Sequence, residues 1–240
     1  MLGETCSYPY RHHLKDQVHV VGTFDYGLPD CPPGYYRSVV IGRTDDARSS
    51  LADHDGALWA INERGSQSGY GALRAFTTTG QERDQNVETV TGSHRGSTDA
   101  VVAGTVDLCA LDIQTWRLKQ RYDVITKRLK VITMTEPTPG LPCICAARLD
   151  PEPIRLALWD AVAALPQPAK DLLMLRGVVR INTADYLALD EGLGATDLAD
   201  VHTPQLGHAS LGPYRGGRGR SGSAQPWRPA ALPDPLLLRQ

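Results

Sequence analysis

The sequence predicts an α/β protein, and three observations predict it. Apolar runs of strand length alternate with amphipathic stretches of helical length from Gln17 to about Leu189. Small polar turns rich in Gly and Ser separate strands from the helices that follow them. The chain has 240 residues, 41% hydrophobic and 22% charged, enough to bury a core without help from disulfides or metal. At about 150 residues per domain this length predicts one or two domains. The composition excludes a mostly disordered protein. No run of 18 apolar residues is present, so no transmembrane segment is expected. A net charge of −2 gives no footprint for nucleic acid, and none is expected as a partner.

The elements follow in order. Gln17–Gly22 alternates as a strand, 26–34 is a loop punctuated by Pro29, Pro32 and Pro33, and Tyr35–Gly42 is a β-branched strand. Ser50–Asp53 reads as a helical turn and Ala57–Asn62 as a short buried strand. The loop Glu63–Gly69 leads to a helix from about Tyr70 to Phe76. The grammar then repeats: strand Val87–Thr91, turn Gly92–Ser97, helix Thr98–Ala103, with Gly104 suited to the left-handed position after a helix end. Val106–Leu111 is an apolar strand ending at Asp112, Ile113–Tyr122 a helix, Leu129–Met134 a strand, and 135–142 a turn-rich segment. Asp150-Pro151-Glu152 starts a helix whose apolar face is Ile154, Leu158, Ala161, Val162 and Leu165. Asp171–Arg176 reads as a short helix closed by Gly177, and Asn182/Thr183 caps one running to about Leu189. This alternation implies a largely parallel sheet, with its functional edge at the carboxyl ends of the strands.

Charge is uneven. Residues 203–240 hold five Arg, one acidic residue, six Gly and six Pro, for a net of +4, against −6 over 1–202. Such a tail cannot bury enough apolar surface to offset its ordering entropy and is expected to be disordered; its Arg-Gly repeats are read as solvated rather than as an RNA contact. Five cysteines stand at 6, 31, 109, 143 and 145. Cys6 and Cys31 lie in loop-like surroundings and would pair only in an oxidising compartment, and Cys109 reads as a buried small hydrophobe. Cys143-x-Cys145 has metal-ligand residue types, but the two side chains are expected on opposite faces of a strand and no His cluster is near, so no metal or other cofactor is expected.

Two strand–turn–helix units place small donors at a helix start: Gly65-Ser66-Gln67-Ser68-Gly69 and Gly92-Ser93-His94-Arg95-Gly96-Ser97. Free backbone N–H groups and the helix dipole favour an anion there, and Ser66, Ser68, Ser93 and His94 add side-chain donors. Asp112, at the end of the next strand, would face the same crevice. It would repel a fully ionised ligand and accept a hydrogen bond from a P–OH or an amine. Each feature has a plainer reading: the serines as helix caps, His94 as a solvated loop residue, Asp112 as the cap of the next helix. There is no Gly-x-Ser-x-Gly elbow and no phosphate loop ending in Gly-Lys-Ser/Thr.

Taken as an ordered set, Tyr36–Ile41, Ser50–Asp53, Asn62-Glu63 with Ser66–Tyr70, Gly92–Ser97, Gly104–Asp112 and Pro137–Pro142 resemble one family from about Gly3 to about Leu189. That family is the phosphate, phosphite and phosphonate substrate-binding proteins of ABC transporters, with the type II periplasmic-binding-protein fold. The resemblance implies two α/β lobes closing on an oxyanion. It implies ligand contacts from Ser66, Gln67, Ser68, Ser93, His94 and Asp112, and from Tyr8 on the other lobe. It implies an incomplete first lobe, because family members carry more chain before the Thr5–Tyr8 stretch. The lobes are expected as 1–36 and 131–202 for the first and 37–130 for the second, with 203–240 as tail. The function implied is a non-catalytic binding protein delivering phosphate, phosphite or a phosphonate to an ABC permease. The alternatives are an enzyme or cytoplasmic sensor on the same fold, with His94, Asp112 and the cysteines as the only candidate reacting groups, or a fragment that binds nothing. The family implies the periplasm; the start at Met1 lacks a secretion signal and as written implies the cytoplasm.

Overall fold

Two β-sheets joined by a pair of crossing segments organise the chain in the computed structural model, which describes residues 2–77 and 88–189. The order begins with β1 (Leu2–Glu4), a turn of helix α1 (Ser7–Pro9) that widens into a π-helical turn over Tyr10–Leu14, and β2 (Val18–Asp25). A loop leads through β3 (Tyr35–Tyr36) into β4 (Ser38–Arg43), then β5 (Trp59–Ile61), a π-helical turn over Gln67–Gly71 and α2 (Ala72–Thr77). β6 (Glu88–Val90), α3 (His94–Ala103), β7 (Leu108–Asp112), α4 (Ile113–Tyr122) and β8 (Leu129–Met134) follow. β9 (Thr138–Pro139), β10 (Pro142–Ala146), α5 (Pro151–Ala163), α6 (Gln167–Leu173), β11 (Gly177–Val179) and α7 (Thr183–Leu187) close the series. The expected strand start at Val87 and the expected disorder of 203–240 lie outside the described residues.

The first sheet has the order β1-β10-β2-β11 and is antiparallel throughout; the second has the order β6-β5-β7-β4-β8. In the second sheet only β5–β6 and β5–β7 are parallel. The expectation of a largely parallel sheet is therefore corrected. A parallel pair needs a crossover connection. β4 arrives instead along a crossing segment and lies between β7 and β8, running against both. The crossing segments pair with each other as β3 and β9, Tyr35 opposite Pro139 and Tyr36 opposite Thr138.

Burial explains the sequence patterns. β4, β5 and β7 are covered on both faces, so they read as unbroken apolar runs. One face (Val39, Ile41, Cys109, Leu111) packs on Val101 of α3 and Ile113 and Trp116 of α4. The other (Val40, Trp59, Ile61, Leu108) packs on Tyr70 and Leu73. In the first sheet, Val21, Cys143 and Cys145 pack on Leu158 and Val162 of α5, while Ile144 and Val20 face Tyr10 and Tyr186. Cys143 and Cys145 thus share a face, as residues two apart on a strand do, and the opposite-face expectation is corrected. Among the described residues no cluster of His, Cys, Asp and Glu is placed to hold a metal. All five cysteines are free thiols: Cys6 Sγ accepts from Gln67 N–H, and Cys31 packs against the core around Leu28.

Helix starts lie earlier than expected where a serine caps the first turn. α3 begins at His94, not Thr98, because Ser93 caps it by accepting from Gly96 N–H. Helical backbone begins at Gln67, capped by Ser66, not at Tyr70. α6 begins after Pro166, with Pro168 in its first turn, and ends at Met174, which takes the left-handed conformation at φ 52°. Gly177 opens β11 rather than closing a helix. Gly104 ends α3 at φ 75°, as expected.

The crossing segments approach closely. Gly140 N–H donates to Gly34 carbonyl at 2.9 Å, and a Cβ on Gly140 would lie 2.5 Å from that oxygen. Gly140→Ala is expected to cost about 1–3 kcal/mol in urea unfolding, the range for forced overpacking. Gly3→Ala, where a Cβ meets nothing within 4 Å, should change stability by less than about 0.5 kcal/mol.

Candidate functional site

The carboxyl ends of the parallel strands β6, β5 and β7 lie side by side, and each leads into a helix: α3, the Gln67–Thr77 helix and α4. Three helix starts therefore share one sheet edge, with first-turn N–H groups that have no acceptor within their own helices. Backbone bonds from Thr91 N–H to Ile61 carbonyl and from Gly92 N–H to Asn62 carbonyl, both 2.9 Å, tie the first two turns together.

Each start is capped by its own residue. Ser66 Oγ accepts from Gly69 N–H at 3.1 Å, Ser93 Oγ from Gly96 N–H at 3.0 Å, and Asp112 Oδ1 from Thr115 N–H at 2.7 Å. Capping thus engages Ser66 and Ser93 in their own turns and aims the residues beyond them. Ser68 Oγ meets His94 Nε2 at 3.1 Å, and the same nitrogen lies 3.7 Å from Asp112 Oδ2. Of the seven residues singled out in the sequence, these three are brought together at the shared sheet edge. Gln67 is turned to Arg11, whose Nη2 donates to its Oε1 at 3.0 Å. Tyr8 is fully buried, with the Arg11 guanidinium 5.7 Å over its ring.

The electrostatics single out His94. Desolvation pushes its pKa below 6.5 against the opposing pull of Asp112 and Glu63, so the ring is neutral at pH 7. Nδ1 is buried and has no hydrogen-bond partner among the described residues. The Nε2–H tautomer fits this geometry: the other would bury an N–H without an acceptor and aim a lone pair at the carboxylate. With Nε2–H donating to Ser68 Oγ, and Asp112 Oδ2 3.7 Å from the same nitrogen, the Ser68 hydroxyl proton is left to donate elsewhere. The arrangement is not a Ser-His-Asp triad. A triad places serine and carboxylate on opposite ring nitrogens, and here both face Nε2.

Sequence reasoning missed Glu4, Cys6, Arg11, Tyr26 and Tyr36. Glu4 is held above the usual carboxylate range by desolvation first and the charge of Asp112 second. Tyr26 is pushed up to about 12 by burial, then by Glu4 and Asp112; Tyr36 is pushed well up by burial, then by Cys6 and Asp112. Both phenols are protonated at neutral pH. These residues come from β1, the helical turns that follow it, the loop after β2, and β3, all remote in sequence from the helix starts.

The depressed His94 pKa makes stability pH-dependent. The unfolded state binds the proton first, so stability is full above about pH 6.5 and is lost as pH falls below it. His94→Gln is expected to reduce the fall in urea midpoint between pH 7.5 and 5.5; an unchanged fall would assign it to other groups.

Comparison with known proteins identifies the family. The profile described as "ABC transporter, phosphonate, periplasmic substrate-binding protein" matches residues 4–186. No curated protein matches the chain. Among solved structures, XAC2383 from Xanthomonas citri bound to ATP shares 17% identity and a TM-score of 0.62, over 79% of this chain and 75% of that one. PhnD1 from Prochlorococcus marinus, in complex with methylphosphonate, shares 15% identity and a TM-score of 0.62, over 73% and 70%. PA3383 from Pseudomonas aeruginosa, a binding protein component of an ABC phosphonate transporter, shares 19% identity and a TM-score of 0.56, over 82% and 73%. These likenesses establish the two-lobed type II periplasmic-binding fold. With the profile match over most of its length, the chain belongs to the periplasmic substrate-binding proteins of phosphonate ABC transporters.

Proposed function

We propose that the chain is a non-catalytic binding protein for a phosphorus oxyanion that still carries a proton: a phosphonate, phosphite or phosphate. The observation that carries this reading is the meeting of Ser68, His94 and Asp112 where three helix starts share one sheet edge. First-turn N–H groups and the Ser68 hydroxyl donate to the phosphoryl oxygens. His94 orients Ser68, and Ser66 and Ser93 hold the turns. Asp112 accepts from P–OH. A sulfate or sulfonate has no such proton at neutral pH and sets its charge against the carboxylate. Tyr26 and Tyr36, both protonated, stand on the crossing side, with the Tyr36 hydroxyl bonded to Thr138, and Tyr8 is buried on the first lobe.

The lobes divide as 1–36 with 131–202, and 37–130, with 203–240 as a tail; the second sheet falls almost wholly within 37–130. The family description supports an ABC permease as the recipient of the ligand and the periplasm as the place of work. Among the described residues no helix is long and apolar enough to cross a membrane.

Calorimetric titration with methylphosphonate, phosphite, phosphate, sulfate and methanesulfonate tests the reading. The expected result is binding of a phosphorus oxyanion at least tenfold tighter than sulfate or methanesulfonate, weakening as pH rises through the ligand's second ionisation. Asp112→Asn retains a capping oxygen and should narrow the preference about tenfold, or about 1.4 kcal/mol. Ser68→Ala should weaken phosphorus-ligand binding by about 1.5–3 kcal/mol, the value of a hydrogen bond to a charged group. Equal binding of sulfate and methylphosphonate, or binding of none, would overturn it.

A further inference from the structure

The residue between the two ligand-turn serines is held twice from the other sheet. Gln67 opens the helix after β5 of the second sheet, whereas Cys6 and Arg11 follow β1 of the first. Gln67 N–H donates to Cys6 Sγ at 3.3 Å, and Gln67 Oε1 accepts from Arg11 Nη2 at 3.0 Å. Arg11 is only 1% exposed, and its Nη1 donates to Ser7 Oγ at 3.3 Å. A guanidinium buried to this degree is costly to strand without its polar partners. On another part of the interface, Gln114 and Arg121 of α4 donate to the Leu173 and Asp171 carbonyls. The clasp at Gln67 differs in two respects: its cation is buried, and it acts on the residue adjoining Ser68.

We propose that Arg11, Gln67 and Cys6 form an interlobe clasp that holds the crevice closed and fixes Ser68 in its donating position. Gln67 then serves the clasp rather than the ligand. The proposal rests on the oxyanion reading above for where the ligand sits. Opening the lobes must separate both contacts at Gln67, so the clasp governs ligand escape more than ligand entry. Arg11 and Cys6 are positioning residues that act through Gln67.

Stopped-flow kinetics with methylphosphonate test this on wild type, Arg11→Met, Gln67→Met and the double variant. Each single change is expected to raise koff about tenfold with kon altered less than threefold, and the double variant to be no worse than the more severe single one. Gln67→Glu pairs a carboxylate with Arg11 and should slow koff. Unchanged koff in the single variants, or additive effects in the double one, overturns the clasp. An arm without ligand separates this from the oxyanion reading: hydrogen exchange of the Gln67 amide should be about tenfold faster in Arg11→Met and in Cys6→Ala than in the ligand-free wild type. Unchanged exchange overturns the clasp even if methylphosphonate binds. Faster exchange in a chain whose wild type binds no methylphosphonate leaves the clasp standing and removes the oxyanion reading.

Discussion

The parallel pairing of β5 with β6 on one side and β7 on the other decides where the helices begin. Parallel neighbours must be joined by crossovers, and each crossover here starts at the same edge of the sheet. The caps then take over. Ser66 and Ser93 turn their oxygens inward to their own helices, which leaves Ser68 and His94 to meet each other beyond the strand ends. Asp112 does two tasks with one carboxylate: Oδ1 caps α4 while Oδ2 faces His94. Ser68, His94 and Asp112 owe their positions to secondary-structure chemistry before any ligand is considered.

A carboxylate at the proposed oxyanion site is a constraint with chemical content. Helix starts and hydroxyls favour any oxyanion; Asp112 opposes those that cannot lend it a proton. Glu4, whose pKa is raised partly by Asp112, adds to the local negative field, and burial keeps the Tyr26 and Tyr36 phenols protonated beside it. Neutral His94 fits between these demands, since a cationic imidazolium would be desolvated there. Selectivity in this account comes from the proton on the ligand, not from the size of the crevice.

Much of this was legible in the sequence. The β-branched run at Val39–Ile41, the Asp150-Pro151-Glu152 start of α5, the Asn182 cap of α7 and the Gly104 stop of α3 act locally, so local patterns carry them. Ser68, His94 and Asp112 stand at or after the carboxyl ends of β5, β6 and β7, where the change from strand to helix shows in the sequence. Sheet direction was not, because β4 reaches its place along a crossing segment that no period in the sequence reports. The start of α3 at His94 was hidden by Ser93, which reads equally as a turn residue and as a cap. Cys6 and Arg11 meet Gln67 across some sixty positions of chain, and nothing in their own neighbourhoods marks that contact.

The proposed ligand position is where the three helix starts meet. Amide chemical-shift mapping during a methylphosphonate titration tests it most directly. The largest shifts are expected at Ser68, His94 and Arg95, with smaller ones at Asp112 and Gln114. Shifts centred instead on the separate cavity lined by Arg155, Arg180 and Thr183, or spread evenly over the surface, would contradict it.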